Sequence, residues 1–284
     1  MIKRALFFVH YNKNNSLSDY VVYLLQQIKH IYSRIVFISN SGLSPVNLSK
    51  LEGLYNDIII RENRGFDFGA WKEALLNEGW EKLLQYDNIT LMNDSCFGPV
   101  FDLQDIYEKT EQKNVDFWGL TLHPYLKSGM PGTNGPIPEY IQSYFICFNK
   151  AVISSTVFQN FWINIKYQKN IHKVIQLYET KFTSLLSNCG FKFNAIYNPN
   201  SSLYIKNKDV ATYRPNLIIE NKIPFVKIKS FVFFTYQKYI IDLIQKETDY
   251  PVDLIYNYAT EMFNPNFSFL ICNKKCRRKR SPIR

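Results

Sequence analysis

Two acidic side chains stand where an α/β chain can do chemistry. The first is Asp94, within Asn93-Asp94-Ser95, three small polar residues that stop the apolar run Ile89 to Met92. Ile89 and Thr90 are β-branched and turn-formers flank the run, so it reads as a buried strand. In an open α/β sheet, ligands sit beyond the carboxyl ends of the strands. A carboxylate held at that rim can meet a metal ion, a phosphate-linked sugar or a hydroxyl. It can equally cap the turn before Gly98-Pro99, as Asn, Asp and Ser commonly do. The second is Glu179, one turn before Phe182 on a stripe completed by Leu185, Leu186 and Cys189, with Gly190 as the C-cap. That spacing puts a carboxylate at the head of a buried helix face. An acid near a helix N-terminus is also favoured by the dipole alone. Asp67 is a third candidate. It stands at the expected N-cap of a helix whose Phe68, Trp71, Ala74 and Leu75 face one way, and it can serve as cap and ligand contact together.

The elements that must position these groups alternate. Ala5 to Val9, Arg34 to Ser39, Asp57 to Arg61 and the Ile89 run read as strands, each ending in polar residues: His10-Tyr11-Asn12, Asn40-Ser41-Gly42, Glu62-Asn63-Arg64-Gly65 and Asn93-Asp94-Ser95. Between the first two lies an amphipathic helix with a Tyr20, Leu24, Ile28, Ile31 stripe, capped by Ser16 or Ser18. Strand–helix alternation of this kind argues for a mostly parallel sheet with helices on both faces. A helix near Asp102 to Gln112 follows, then strands at Asp116 to Leu122 and Gln142 to Phe148, a helix at Ser154 to Ile165, and a strand at Phe191 to Tyr197. Pro124 to Glu139, rich in Gly and Pro, reads as a functional loop or lid. Lys222 to Lys229 alternates like an edge strand, and two short helices split at Tyr250-Pro251. The expected organisation is an α/β domain over residues 1–200, an extended and helical appendage over 201–273, and a basic tail over 274–284.

Charge and cysteine content narrow the function class. Of the net +10, seven charges lie at Lys274, Lys275, Arg277, Arg278, Lys279, Arg280 and Arg284, leaving +3 for the rest. The globular body therefore has no basic stripe for nucleic acid; binding through the tail alone would be steeply salt-dependent. Polybasic segments adhere to anionic lipid at about 1 kcal/mol per basic residue near the surface, which suits a lipid-linked substrate. The five cysteines have no CxxC spacing and histidine is scarce, so reduced thiols in a cytosolic protein are expected, without a zinc site. No run is long enough for a signal-peptide core or a membrane span. The expected location is cytoplasmic, peripheral to the inner membrane leaflet.

Five stretches, in this order, resemble the glycosyltransferase A fold of nucleotide-sugar-dependent transferases. They are His10-Tyr11-Asn12, Ser39-Asn40-Ser41-Gly42, Asn63-Arg64-Gly65-Phe66 through Ala70, Asn93-Asp94-Ser95 at the place of the DxD metal motif, and Glu179 through Gly190-Phe191-Lys192 at the place of the catalytic-base helix. A narrower resemblance rests on Arg64-Gly65-Phe66-Asp67-Phe68-Gly69-Ala70-Trp71, Asn93 through Pro99, Asp116-Phe117-Trp118-Gly119, Gln142-Ser143-Tyr144-Phe145 and Thr248-Asp249-Tyr250-Pro251. These look like the rhamnan synthesis protein F family, which is associated with rhamnose-containing cell-surface polysaccharides.

The resemblance implies an inverting transfer from a nucleotide-sugar donor, dTDP-L-rhamnose in particular, to a growing or lipid-linked glycan. Glu179 would be the base that accepts the acceptor proton. Asp94 would be a catalytic-site carboxylate touching ribose, diphosphate or metal. His10, Tyr11, Asn40, Asn63, Arg64, Gly65, Asp67, Asn93 and Ser95 would bind the donor. Gln142, Tyr144 and His123 would lie on the acceptor side. Asn93-Asp94-Ser95 offers one carboxylate where a DxD offers two. Mg²⁺ or Mn²⁺ through Asp94 is therefore one expectation, and neutralisation of the diphosphate by Arg64 or Lys227 the other. Competing readings are a non-catalytic nucleotide- or glycan-binding subunit of a polysaccharide assembly complex, and a nucleotidyltransferase.

Overall fold

The computed structural model describes residues 2–127, 129, 135–199, 209–233 and 237–262. Ten strands run β1 (Arg4–His10), β2 (Arg34–Ser39), β3 (Asp57–Ile60), β4 (Asn88–Asn93), β5 (Cys96–Phe97), β6 (Phe117–His123), β7 (Tyr140–Ile141), β8 (Phe145–Asn149), β9 (Phe193–Tyr197) and β10 (Val226–Lys227). Eight form one sheet in the order β3-β2-β1-β4-β8-β6-β7, with β9 beside β6. β1 pairs in parallel with both β2 and β4, so the strand order reverses at β1/β4. That reversal opens a crevice beyond their carboxyl ends. The register Val9↔Asn93 brings the ends of the two strands level.

All seven residues of β1 are buried, which explains its unbroken apolar run: a central strand is covered on both faces. Alternate side chains serve opposite layers. Leu6 and Phe8 pack with Tyr20, Leu24 and Ile28 of the Asp19–Ile28 helix, and with Ile218, Ile223, Phe225 and Ile241 from the C-terminal region. Phe7 and Val9 pack with Phe68, Trp71, Phe158, Trp162 and Phe182 on the other face. Trp71 is a core residue, as expected, and its indole N–H donates to the Phe7 carbonyl at 3.1 Å. The region after residue 208 thus completes the core on one face of the sheet. It also adds a strand, since β10 pairs antiparallel with β5, matching Lys227 to Cys96.

The mixed α/β architecture is as expected, with local corrections. β8 is antiparallel to both neighbours, β4 and β6, inside an otherwise mostly parallel sheet. Hydrophobic periodicity does not encode strand direction. The expected strand Gln142–Phe148 is split, because Gln142 to Tyr144 turns between β7 and β8. The helix expected over Ser154 to Ile165 breaks at Ser155, whose hydroxyl caps a new helix, Thr156–Asn164. Ser18 occupies an N-cap position but its side chain makes no cap bond; its hydroxyl donates to Glu261 instead. Asp67 is not an N-cap. Gly65, left-handed at φ 77°, holds that place, and Asp67 falls in the first turn of Phe66–Glu78. Only Val226–Lys227 of the expected edge strand is extended, and Ile228–Phe233 is helical. Within Pro124 to Glu139, Leu126 and Ile137 form an antiparallel bridge; residue 128 and residues 130–134 lie outside the described residues, as does the tail from Lys274.

Candidate active site

The β1/β4 crevice is lined first by a hydrogen-bonded chain of side chains. Asp94 accepts from the Tyr11 amide at 2.9 Å, its own amide donates to the Val9 carbonyl at 3.1 Å, and its carbonyl accepts from the Tyr20 hydroxyl at 2.6 Å. Its backbone is thereby pinned between the two strand ends. Turn-capping is done by Asn93, whose Oδ1 accepts from the Ser95 amide at 3.1 Å and the Ser95 hydroxyl at 2.6 Å. Asn93 Nδ2 donates to Asp67 Oδ2 at 2.7 Å, so the first turn of the Phe66–Glu78 helix is tied to the strand end.

Both carboxyl groups resist ionisation. Burial pushes Asp94 up to about 8, opposed by the Tyr11 amide and reinforced by the Asp67 charge. Burial likewise raises Asp67 to about 6; Asn93 opposes, Glu179 adds to the rise, and Lys229 and Lys227 lower it. Asp67 therefore senses Glu179, and Asp94 senses Asp67.

Glu179 ends a π turn, Ile175–Glu179, that runs into the Thr180–Asn188 helix. The wider turn reorients the side chain at the helix start, as π turns at functional sites do. Its Oε1 accepts from the Ser143 amide at 3.0 Å and the Ser143 hydroxyl at 2.7 Å. The Gln142-to-Tyr144 turn that splits the expected strand is thus the support for this carboxylate. Gln142 accepts from Thr121 at 2.7 Å and donates to Asp209 at 3.1 Å. The Thr121 hydroxyl also lies 3.0 Å from that of Tyr144. Lys227 Nζ stands 5.2 Å from the centre of the Tyr144 ring and enters no salt bridge among the described residues. Burial would raise the Asp209 carboxyl, but Lys227, the Thr212 amide, His123 and Gln142 outweigh it and hold the group below its ordinary value. His123 is buried, stacked on Tyr140 at 4.8 Å, with Nδ1 on the Pro124 carbonyl.

A third group lies at the ends of β2 and β3. Asn40 Oδ1 accepts from Arg61, while its Nδ2, like Asn63 Oδ1, has no hydrogen-bond partner among the described residues. Arg61, Arg64 and Lys72 surround the Tyr167 ring at 5.8, 5.3 and 5.8 Å. A Cβ on Gly65 would stand 2.7 Å from Tyr167 Cδ1, so the glycine is required by close approach as well as by its φ.

Of the residues singled out from sequence, Asp94, Asp67, Asn93, Ser95 and Tyr11 are contiguous, and Glu179, Gln142, Tyr144 and His123 form the facing group. Asn40, Asn63, Arg64 and Gly65 form the third. His10 is a correction: it is 1% exposed, its Nδ1 lies 3.0 Å from the Ser39 hydroxyl, and burial lowers its pKa to about 4. A neutral imidazole enclosed in this way packs the strand end and presents nothing to a donor. Tyr11 beside it is 48% exposed and keeps a free ring face. Ser143, Asp209 and Tyr167 were not singled out. The only sequence signal for Ser143 is its place in the Gln142-Ser143-Tyr144-Phe145 stretch.

Divalent ions such as Mg²⁺ need one or two carboxylates beside substrate phosphates. Asp94 and Asp67 supply two hard oxygen donors from separate elements, and the hydrogen bonds above engage Oδ2 of each. They fit such an ion. Among the described residues no group of three His, Cys, Asp or Glu side chains gathers to hold a metal.

The profile described as rhamnan synthesis protein F matches residues 35–283. An uncharacterised protein of Sinorhizobium fredii, y4gN, is 27% identical over 198 residues, 68% of this chain and 50% of that protein. The chain therefore spans about half the length of this curated relative. Among solved structures, a putative nucleotide-diphospho-sugar transferase from Desulfovibrio desulfuricans superposes with a TM-score of 0.44 at 14% identity, covering 91% of this chain and 99% of that one. The 4-diphosphocytidyl-2C-methyl-D-erythritol synthase from Anaerococcus prevotii gives 0.43 at 10% identity, with 78% and 97% covered.

Proposed function

The chain belongs to the rhamnan synthesis protein F family, and on that premise we propose that it is an inverting glycosyltransferase. It moves a sugar, L-rhamnose from dTDP-L-rhamnose, to a growing cell-surface polysaccharide or lipid-linked glycan. The observation that carries this reading is electrostatic. Asp67 is hydrogen-bonded to Asn93 and feels the charge of Glu179, and the Asn93 amide donates to the carbonyl of Tyr144, next to the Ser143 that holds Glu179; this nearness supports a cleft shared by the two candidate carboxylates.

In this reading Glu179, held by Ser143, accepts the proton of the acceptor hydroxyl as its oxygen attacks the anomeric carbon. The bond from that carbon to the diphosphate breaks, and the diphosphate leaves with the electron pair. Lys227, which enters no salt bridge among the described residues, faces the developing negative charge. Arg64, supported by Tyr167, covers the nucleotide end, where Tyr11 offers a ring to stack. Asn40 and Asn63 present buried amide atoms to that end. Gln142, Tyr144 and His123 shape the acceptor side. Asp94 and Asp67 would hold Mg²⁺ or Mn²⁺, which would supply further positive charge against the diphosphate. Both carboxyls must lose a proton to do so, which ties ion affinity to pH.

In the same reading the protein works in the cytoplasm, peripheral to the inner leaflet, with the basic tail from Lys274 adhering to anionic lipid. Among the described residues no helix is long and apolar enough to cross a membrane. The test is turnover by purified protein on a panel of dTDP-, UDP- and GDP-sugars with and without Mn²⁺, with Glu179→Gln as the control. Full turnover in that variant overturns the base assignment. Donor binding without turnover by the parent chain favours the non-catalytic subunit.

A further inference from the structure

Bordering the cleft at Tyr167 and at the Glu179 turn, one stretch of the folded body combines bare apolar side chains with a run of lysines. Ile163, Tyr167, Ile171 and Leu177 are 45%, 41%, 40% and 40% exposed. Exposed apolar residues scattered singly are ordinary. Here four of the twelve large hydrophobics exposed among the described residues fall within a stretch of 15. One of them, Leu177, lines a groove of about 420 Å³ between the Thr156–Asn164 helix and the segment from Leu177 to Leu185, with Val157, Phe161, Ile165, Tyr178 and Leu185. Lys166, Lys169, Lys173 and Lys181 are all exposed around it. Lys173 and Leu177 are one turn apart, on the same helix face. From Lys150 through Tyr178 the chain carries four lysines and neither Asp nor Glu.

Protein–protein interfaces deplete lysine, whereas a surface that lies in a headgroup layer pairs shallow apolar insertion with a cationic rim. We propose that this face docks the folded body on an anionic phospholipid surface, the apolar groups entering the acyl boundary and the lysines meeting the headgroups. The charge complementarity is local and stands apart from the tail. The inference does not depend on the transferase reading, and its test has no activity readout. It has a consequence for that reading: Leu177 and Glu179 belong to the same π turn, so docking sets the Glu179 side of the cleft beside the lipid surface.

The experiment is flotation of the full chain with phosphatidylcholine vesicles, with and without phosphatidylglycerol. Each basic residue near such a surface is worth about fivefold in binding. The parent chain is expected to float with the anionic vesicles and not with the neutral ones. Ile171→Asp with Leu177→Asp, and separately Lys173→Glu with Lys181→Glu, should each weaken partition about tenfold or more, with unchanged Tm. A third variant, with the seven basic residues of the tail changed to Ser, should keep the contribution of the face. The proposal is overturned if both face variants float like the parent, or if the tail variant alone loses all binding. It is also overturned if the parent is dimeric in solution and the Asp variant monomeric, for then a second copy covers the groove.

Discussion

The two walls of the cleft treat their carboxyl groups in opposite ways. On the β1/β4 wall, burial drives Asp94 to about 8 and Asp67 to about 6, and no salt bridge among the described residues compensates either. On the facing wall, Lys227 heads the groups that hold Asp209 ionised despite burial, and Ser143 gives Glu179 two hydrogen bonds. On the first wall Lys229 and Lys227 only partly offset the burial of Asp67; on the second, Lys227 helps to outweigh that of Asp209. Carboxyls whose pKa is raised by burial in this way are candidates for meeting a ligand or ion. The two hydrogen bonds from Ser143 hold the Glu179 carboxyl in one geometry.

The sharpest way to break this contrast is at Glu179. Glu179→Gln keeps the size and a hydrogen bond to Ser143 but removes the proton acceptor. Turnover should fall about 10²- to 10⁴-fold, while donor affinity, read by calorimetry, stays near the parent value. A matched loss of affinity would mean that Glu179 is a binding residue.

Lys227→Met tests the charge on the same wall. It should weaken binding of a nucleoside diphosphate about tenfold or more, roughly the worth of one charged hydrogen bond, and leave binding of the nucleoside unchanged. Equal loss for both ligands would assign Lys227 to packing.

The smallest effect belongs to the other wall and is a pH dependence. Asp94 and Asp67 have folded-state pKa values above the unfolded values, so the folded chain binds more protons between about pH 4 and 8. Their contribution therefore lowers stability as pH rises through that window. Asp94→Asn keeps an acceptor for the Tyr11 amide and removes the titration. Its Tm should exceed that of the parent at pH 8, and the gap should close near pH 4. A gap that does not change with pH contradicts the assigned burial of Asp94.

The same contrast governs what could be read from sequence. The β1/β4 wall is made of strand ends, where an apolar run stops at a polar turn. Val9 to Tyr11 and Met92 to Asp94 announce themselves by that boundary, and a crevice at the strand ends follows from the alternation of elements. The facing wall is built from pieces far apart in the chain: Ser143 from a turn, Glu179 from a helix start, Asp209 and Lys227 from beyond residue 200. Nothing local marks Asp209 as a partner of Gln142, 67 residues away. Gly65 took the cap position expected of Asp67 because a left-handed backbone and the nearness of Tyr167 both demand a glycine, and neither demand shows in helix periodicity. β8 looked like its parallel neighbours because burial pattern is blind to direction. His10 was misread for a related reason: a polar residue at a strand end can turn inward, as it does here towards Ser39.

The most direct measurement of the central claim is a crystal structure of Glu179→Gln with an intact nucleotide-sugar bound. The account predicts the diphosphate between Asp94 and Lys227, with the anomeric carbon facing residue 179 across a gap that admits an acceptor hydroxyl. A nucleotide-sugar seated outside the β1/β4 crevice, or a sugar turned away from residue 179, would contradict it.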